Sequence, residues 1–311
     1  MDYHFGELFY HYTTRSAAFE QILPTGKLRF SPYARVNDPL ENKPWRLVGQ
    51  YAIGGAADLE RLTAAQHGFG GFDRGTSLVW ASAKLLALTV DAEKGYEGSA
   101  EPFGRGWSRA RMWDQYAEQH RGVCLLFNRA RLRRNILESL SAQKLPELYH
   151  KPVRYTAGGP RESMPEVDLA ALTKSVTPAL VGRFIEEHTE ELFFVKTVDW
   201  ESEHEYRFVV SAPDVEFVWI DYGDALEGAI VGELFPSWQR RGAIDICRQV
   251  GAVIGQMGWS SGVPRPQEFT AGAVLAPRGP AEEAIAAQAD LLARFADAAE
   301  PHAARTGRTG A

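Results

Sequence analysis

The stretch Trp200-Glu201-Ser202-Glu203-His204-Glu205-Tyr206-Arg207-Phe208-Val209-Val210 places two carboxylates and an arginine at the mouth of an apolar strand. A strand repeats every two residues, so Glu203, Glu205 and Arg207 share one face and Tyr206, Phe208 and Val210 the other. With the second set in a core, the first is an acidic pair with a basic neighbour on a rigid element, an arrangement suited to a site. The other reading is an edge strand whose outer face is solvated and salt-bridged.

Strands predicted at Phe217 to Asp221 and Gly228 to Gly232 follow this one. At the other end of the chain, Glu7 to Thr13 alternates, with Phe9, His11 and Thr13 on one side and Tyr10 and Tyr12 on the other. Ser16 to Leu23 reads as a short helix stopped by Pro24-Thr25-Gly26, and Leu28 to Ser31 as a second strand. Asn37-Asp38-Pro39 favours a turn that starts a helix near Leu40. The glycine-rich stretch 54–75 predicts a surface excursion around a short helix, followed by a buried strand from Ser77 to Ser82. An amphipathic helix is expected from Ser108 to His120, with Met112, Trp113, Tyr116 and Ala117 on one stripe facing the core. Gly122 ends it, and Val123 to Phe127 is a strand.

Arg129 to Ala142 reads as a helix whose Arg129, Arg131, Arg133 and Arg134 form a solvated face. A short strand is expected at Pro152 to Tyr155, a loop at Pro160 to Pro165, and a helical pattern kinked at Pro178 from Val167 to Val195. Beyond the strands, a helix is predicted from Trp238 to Met257, alternation from Glu268 to Leu275, and an Ala-rich helix from Ala281 to Ala299. The fold class that follows is α+β, a mixed or split β-sheet core with helical insertions near 54–75 and 129–195. One domain is expected over 1–276, then a C-terminal helix over 277–300 and a disordered tail over 301–311.

Composition narrows the chemistry. With 311 residues, 45% of them hydrophobic and 11% aromatic, the chain can bury a large core. A net charge of -6 supplies no overall basic field for a nucleic-acid backbone. Cys124 and Cys247 sit in apolar stretches and read as free thiols in a reducing cytoplasm, without disulfide or zinc spacing. The longest apolar stretch, Leu78 to Val90, is broken by Lys84 and is too short to span a bilayer, and no secretory signal is visible; a cytoplasmic protein without membrane partners is expected. There is no Gly-x-Ser-x-Gly elbow, phosphate-binding loop or dinucleotide fingerprint. Asp38, Glu41 and Lys43 have the residue types of a metal-dependent nuclease, but that chemistry takes its carboxylates from separate strands.

The phrases FYHYTT, KLRFS, VNDPLE, RMWDQYAEQHRGVCLLF and WESEHEYRF, in this order, resemble a bacterial family known as domain of unknown function 2971, over about Leu8 to Gly232. The family label carries no activity. More distantly, Tyr10-His11-Tyr12-Thr13, a helix, Ile22-Leu23 and Gly26-x-Leu28 resemble the opening of ADP-ribosyltransferase-type domains, which bind NAD. Such domains are similar to one another in a histidine or arginine on the first strand, a serine or tyrosine on a following strand, and a late glutamate, often in Glu-x-Glu. Here these would be His11, then Ser31 or Tyr33, then Glu203-x-Glu205.

That resemblance implies NAD as substrate, no metal, and an ADP-ribose acceptor of unspecified kind, protein, nucleic acid or water, in a toxin-like or phage-defence setting. It implies catalytic roles for Glu205, Glu203 and His11: Glu205 on the nicotinamide ribose, Glu203 orienting or deprotonating the acceptor, and His11 holding the adenosine-side ribose. Tyr12, Thr13, Ser31, Tyr33 and Arg207 would complete the NAD site, with the Tyr33 ring stacked on nicotinamide. A non-catalytic nucleotide-binding sensor or effector module is the competing function, and a metal-dependent nuclease the third.

Overall fold

A computed structural model describes residues 6–50, 58–92, 102–145, 148–168, 172 and 176–270. The predicted C-terminal helix and tail, and the end of the Glu268 to Leu275 alternation, lie outside these. Strand β1 (Leu8–Thr13) forms from the aromatic alternation. The next helix begins as a π-turn over Ala17–Ile22, in which the Leu23 N–H bonds the Ala18 carbonyl, and continues as α1 (Leu23–Thr25). It runs through Pro24 because the wider turn absorbs a residue with no N–H to give, and it ends at Gly26, where φ is 70°. Strand β2 (Lys27–Pro32) follows. The Asp38 turn forms, with its side chain accepting the Leu40 N–H, but it stays a single turn and no helix grows from it.

Strand β3 (Val48–Gln50) precedes the largest departure from expectation: residues 58–82 form one helix, α2 (Asp58–Ser82), through Gly68, Gly70, Gly71 and Gly75. The predicted strand at Ser77 to Ser82 is the end of this helix, and the strand β4 is Ala83–Thr89. Two of the glycines are contact points rather than breaks. A Cβ on Gly68 would overlap the Leu172 carbonyl, and one on Gly75 would lie 2.8 Å from a Val181 methyl.

Helix α3 (Ala110–Gln115) is half the predicted length, because Glu118, Gln119 and His120 turn left-handed at φ 48°, 53° and 66°. Strand β5 (Val123–Asn128) and helix α4 (Arg129–Ala142) match the expected elements, with Asn128 capping α4 through the Arg131 N–H. The arginines of α4 are less free than predicted: Arg131 pairs with Glu227, Arg134 with Asp224, and Arg129 lies over the Phe9 and Tyr206 rings. Strands β6 (Leu148–Pro152) and β7 (Arg154–Thr156) flank Val153. The expected loop at Pro160 contains helix α5 (Pro160–Ser163).

The expected single helical segment from Val167 divides into strand β8 (Glu166–Asp168), helices α6 (Pro178–Glu187) and α7 (Thr189–Phe193), and strand β9 (Val195–Thr197). Pro178 starts α6 behind the Thr177 cap instead of kinking a longer helix, as suits a residue whose missing N–H costs nothing in the first turn. Strands β10 (Glu205–Ser211), β11 (Val218–Asp221) and β12 (Leu226–Val231) then precede helix α8 (Arg240–Gln249). The helix predicted to reach Met257 stops where Gly251 takes φ 71°, and the remainder pairs as β13 (Val253–Ser260) and β14 (Val263–Glu268).

Ten strands make one mixed sheet in the order β11-β2-β4-β1-β5-β12-β13-β14, with β10 and β6 branching from β4. The β12–β13 pair is parallel and the others in this sheet antiparallel. The α+β class and the mixed, split core follow from this order. One edge of β4 pairs with β10 along its whole length, from Ala83 to Thr89. Its other edge meets β2 at Lys84 and Leu85 and β1 at Thr89, and no register pair spans Leu86 to Leu88 between them. The sheet opens at that point.

Apolar residues fill both sides of the split. Phe9, Leu86, Leu88, Phe127, Tyr206, Phe208 and Val210 pack with α4 residues Leu132, Ile136 and Leu140. Tyr33, Trp45, Phe72, Trp80, Leu85, Val209 and Phe193 pack with residues of α6 on the other side. A third cluster joins Tyr10 and Tyr12 to Trp113, Ala117 and Met257.

Candidate functional site

A cavity of about 270 Å³ occupies the gap where β1 and β2 part along β4. Tyr10, His11 and Tyr12 line it from β1, Arg29, Ser31 and Pro32 from β2, and Leu85 to Thr89 from β4. The loop after β2 contributes Asn37, Asp38 and Glu41; Met112, Tyr116, Lys196, Glu203, Glu205 and Arg207 complete the wall. The acidic pair and His11 therefore share one cavity, although they stand almost two hundred residues apart in sequence.

The charged face of β10 is neither solvated nor at an edge, since β10 pairs with β4 and β6. Arg207 is 1% exposed, and each of its five N–H donors has an acceptor. Its Nη1 and Nη2 hold Glu41 at 2.5 and 2.7 Å, its Nε and Nη2 hold Glu205 at 2.7 and 3.0 Å, and Nη1 also donates to the Phe193 carbonyl at 2.6 Å. Complete satisfaction is what makes a buried guanidinium tolerable. Lys196 donates to Glu203 Oε2 at 2.6 Å and Glu205 Oε2 at 3.2 Å, and it sits over the Trp200 ring.

The two glutamates are driven apart in acidity. Burial would raise Glu205, but the Arg207 and Lys196 charges outweigh it and carry its pKa down to about 2. Burial raises Glu203, with Lys196 opposing and the nearby Glu205 charge reinforcing the rise. Tyr116 donates to Glu203 Oε1 at 2.7 Å, and Asn37 bonds Tyr116 in turn. At the open edge of β4, His11 hydrogen-bonds the Ala87 backbone, filling a gap in the ladder. Burial, with the Arg29 charge nearby, lowers its pKa to about 4 despite that bond, so the ring is neutral at pH 7.

Among the residues expected in an NAD site, His11, Tyr12, Ser31, Glu203, Glu205 and Arg207 line the cavity, whereas Thr13 and Tyr33 are not among its lining residues. Thr13 is buried opposite Val123 in the β1–β5 ladder. Tyr33 is buried edge-on to Phe193 and donates to Glu41 at 3.0 Å, so its ring is a packing element rather than a stacking platform. The Tyr12 ring packs edge-on to Trp113, and its hydroxyl donates to the Gly106 carbonyl. Glu203 precedes the strand, in a 3-10 turn (Val198–Glu203) joined to β10 by a left-handed His204. Arg207 is an organiser of carboxylates more than a free ligand-binding cation.

Sequence reading pointed neither to Lys196 nor to a cavity role for Met112 and Tyr116, and it grouped Glu41 with Asp38 and Lys43 rather than with Arg207. Glu41 is tied to Arg207 from 166 positions away, a pairing with no local pattern. Lys196 carries a weak signal, a lone cation in Phe193-Phe194-Val195-Lys196. Tyr116, on the stripe expected to face the core, lines the cavity; Met112 lines it too while staying buried in the cluster around Trp113, which is fully buried as expected. Asp38 and Glu41 both line the cavity, but Glu41 is engaged by Arg207 and Lys43 is not in the wall. Among the described residues, no group of three or more His, Cys, Asp or Glu converges in a way that could hold a metal ion. No described helix is long and apolar enough to cross a membrane.

No curated protein and no solved structure matches the chain, and no comparison shows a likeness to ADP-ribosyltransferase-type domains. The motifs FYHYTT, KLRFS and VNDPLE lie outside the one matched region, which is shorter than the span suggested by the ordered phrases. That region runs from α3 to β10 and brings Tyr116, Lys196, Glu203, Glu205 and Arg207 together: residues 112–208 match the family described as Protein of unknown function (DUF2971).

Proposed function

We propose that the cavity binds the nicotinamide-ribose end of NAD and that the protein transfers ADP-ribose to an acceptor. The observation that carries this reading is the convergence of His11, Ser31, Glu203 and Glu205 on one cavity at the split of the sheet. In the reaction, the bond from ribose C1′ to the nicotinamide nitrogen breaks, and its electron pair leaves with neutral nicotinamide. The ribose develops oxocarbenium-like positive charge. Glu205, held ionised, supplies a fixed negative charge, while Glu203, with its raised pKa, takes the proton of the attacking acceptor. Because His11 lines the same cavity as the two glutamates, its neutral ring offers a second nitrogen to the hydroxyls of the nicotinamide ribose, rather than to the adenosine-side ribose that the resemblance implied.

Nicotinamide release from NAD tests this reading, with protein and nucleic-acid acceptors supplied. Glu205→Gln and Glu203→Gln are expected to slow release by roughly a hundredfold to a thousandfold, with melting curves confirming folded variants. Wild-type protein that neither binds nor consumes NAD overturns it. A second reading, nucleotide binding without turnover, is favoured by the occupation of both Glu205 oxygens by Arg207 and Lys196. Binding without nicotinamide release selects it.

A further inference from the structure

Asp38 is 2% exposed, and only one of its carboxylate oxygens is used. Oδ1 accepts the Leu40 N–H at 2.9 Å, which shapes the turn; Oδ2 is buried without any hydrogen-bond partner. A buried carboxylate oxygen left unpaired is costly, and it persists where something outside the fold completes it. Asp38 lines the same cavity as the acidic pair.

The charges around the cavity are also sorted by depth. The buried charged residues of its lining are Asp38, Glu41, Glu203 and Glu205 with Lys196 and Arg207, four carboxylates and two cations. Arg29 and Arg35 lie at the exposed end, where Arg35 pairs with Glu216 and both lie over the Phe217 ring. The buried end therefore favours positive charge and hydrogen-bond donors, and the exposed end favours anions.

We infer that Asp38 is a specificity-determining residue that accepts a hydrogen bond from the inner end of the ligand, and that it selects a ligand cationic at that end and anionic at the other. Resting on the NAD reading, this deepens it: the oxidised, cationic nicotinamide ring and its carboxamide N–H donors face Asp38, and the phosphates face Arg29. The reduced dinucleotide has the same donors and phosphates but a neutral ring. Discrimination between the two forms thus reports on charge recognition apart from nucleotide binding.

Calorimetric titration of the full chain with NAD+ and with NADH tests the inference. Wild type is expected to bind the oxidised form about tenfold more tightly, and Asp38→Asn and Asp38→Ser to bring the two affinities within about threefold. Both substitutions keep an oxygen for the Leu40 N–H. As a measurement needing no variant, cationic 1-methylnicotinamide should displace bound NAD+ from wild type better than neutral nicotinamide. Equal binding of both forms, an unchanged preference in the folded variants, or better displacement by nicotinamide overturns the role of Asp38 and leaves the NAD reading standing. Failure of wild type to bind either form overturns both.

Discussion

Arg207 is the residue on which the site depends most. Removing it would leave Glu41 and Glu205 as buried carboxylates without their main counter-charge, so Arg207→Met is expected to destabilise the fold by about 3–5 kcal/mol in urea titrations. Adding Glu41→Gln to that variant should recover part of the loss, because one stranded charge is then removed. His11 sets a second expectation. Its folded pKa, about 4, lies below its ordinary 6.5, so its contribution to stability is complete above pH 6.5 and is lost as pH falls toward 4. Glu205 acts in the next window, its contribution being lost as pH falls from about 4.5 toward 2. The His11 ring resonances should titrate with a midpoint near 4, and a midpoint near 6.5 contradicts its placement. Alternation alone exposed the shared face of Glu205 and Arg207. It gave no sign that Glu41 would reach Arg207, since that contact depends on where a distant turn is laid down.

Among elements, α2 shows how glycine misleads a reader of sequence. Glycine lowers helix propensity by about 1 kcal/mol, so four of them within eight residues argue for a loop. In the fold, Gly68 and Gly75 let α2 approach Leu172 and Val181, and packing overrides local preference. Gly70 has nothing within 4 Å of a Cβ. Gly70→Ala should therefore stabilise by up to about 1 kcal/mol, and Gly68→Ala should destabilise by about 1–3 kcal/mol, read from melting curves. Loss of stability in Gly70→Ala would contradict the helix. The early end of α3 had no local signal either, because no glycine marks Glu118 to His120. Tertiary bonds hold that turn: Leu234 donates to the His120 carbonyl, and Arg15 pairs with Glu118 at 2.6 Å. By contrast β1, β5, α4 and β10 were legible, because periodicity and caps agree with the packing there.

At the scale of the molecule, the cavity is a consequence of topology. Strand β4 cannot pair along its whole outer edge, because β1 and β2 reach it at opposite ends, and the unpaired middle becomes the wall of a pocket. The chain between the second and third expected NAD-binding elements is more than helical insertion: it includes the expected strand β5 and the central strand β4, which the glycine-rich stretch caused to be placed too early, at Ser77 to Ser82. The central claim is that this split holds the nicotinamide ribose of NAD between His11 and the Glu203–Glu205 pair. A crystal structure of the chain soaked with NAD tests it most directly. Density for the ribose is expected inside the cavity, within hydrogen-bond distance of His11 and one of the two glutamates, with the phosphates toward Arg29; NAD bound elsewhere on the protein, with the cavity free of it, would contradict this placement.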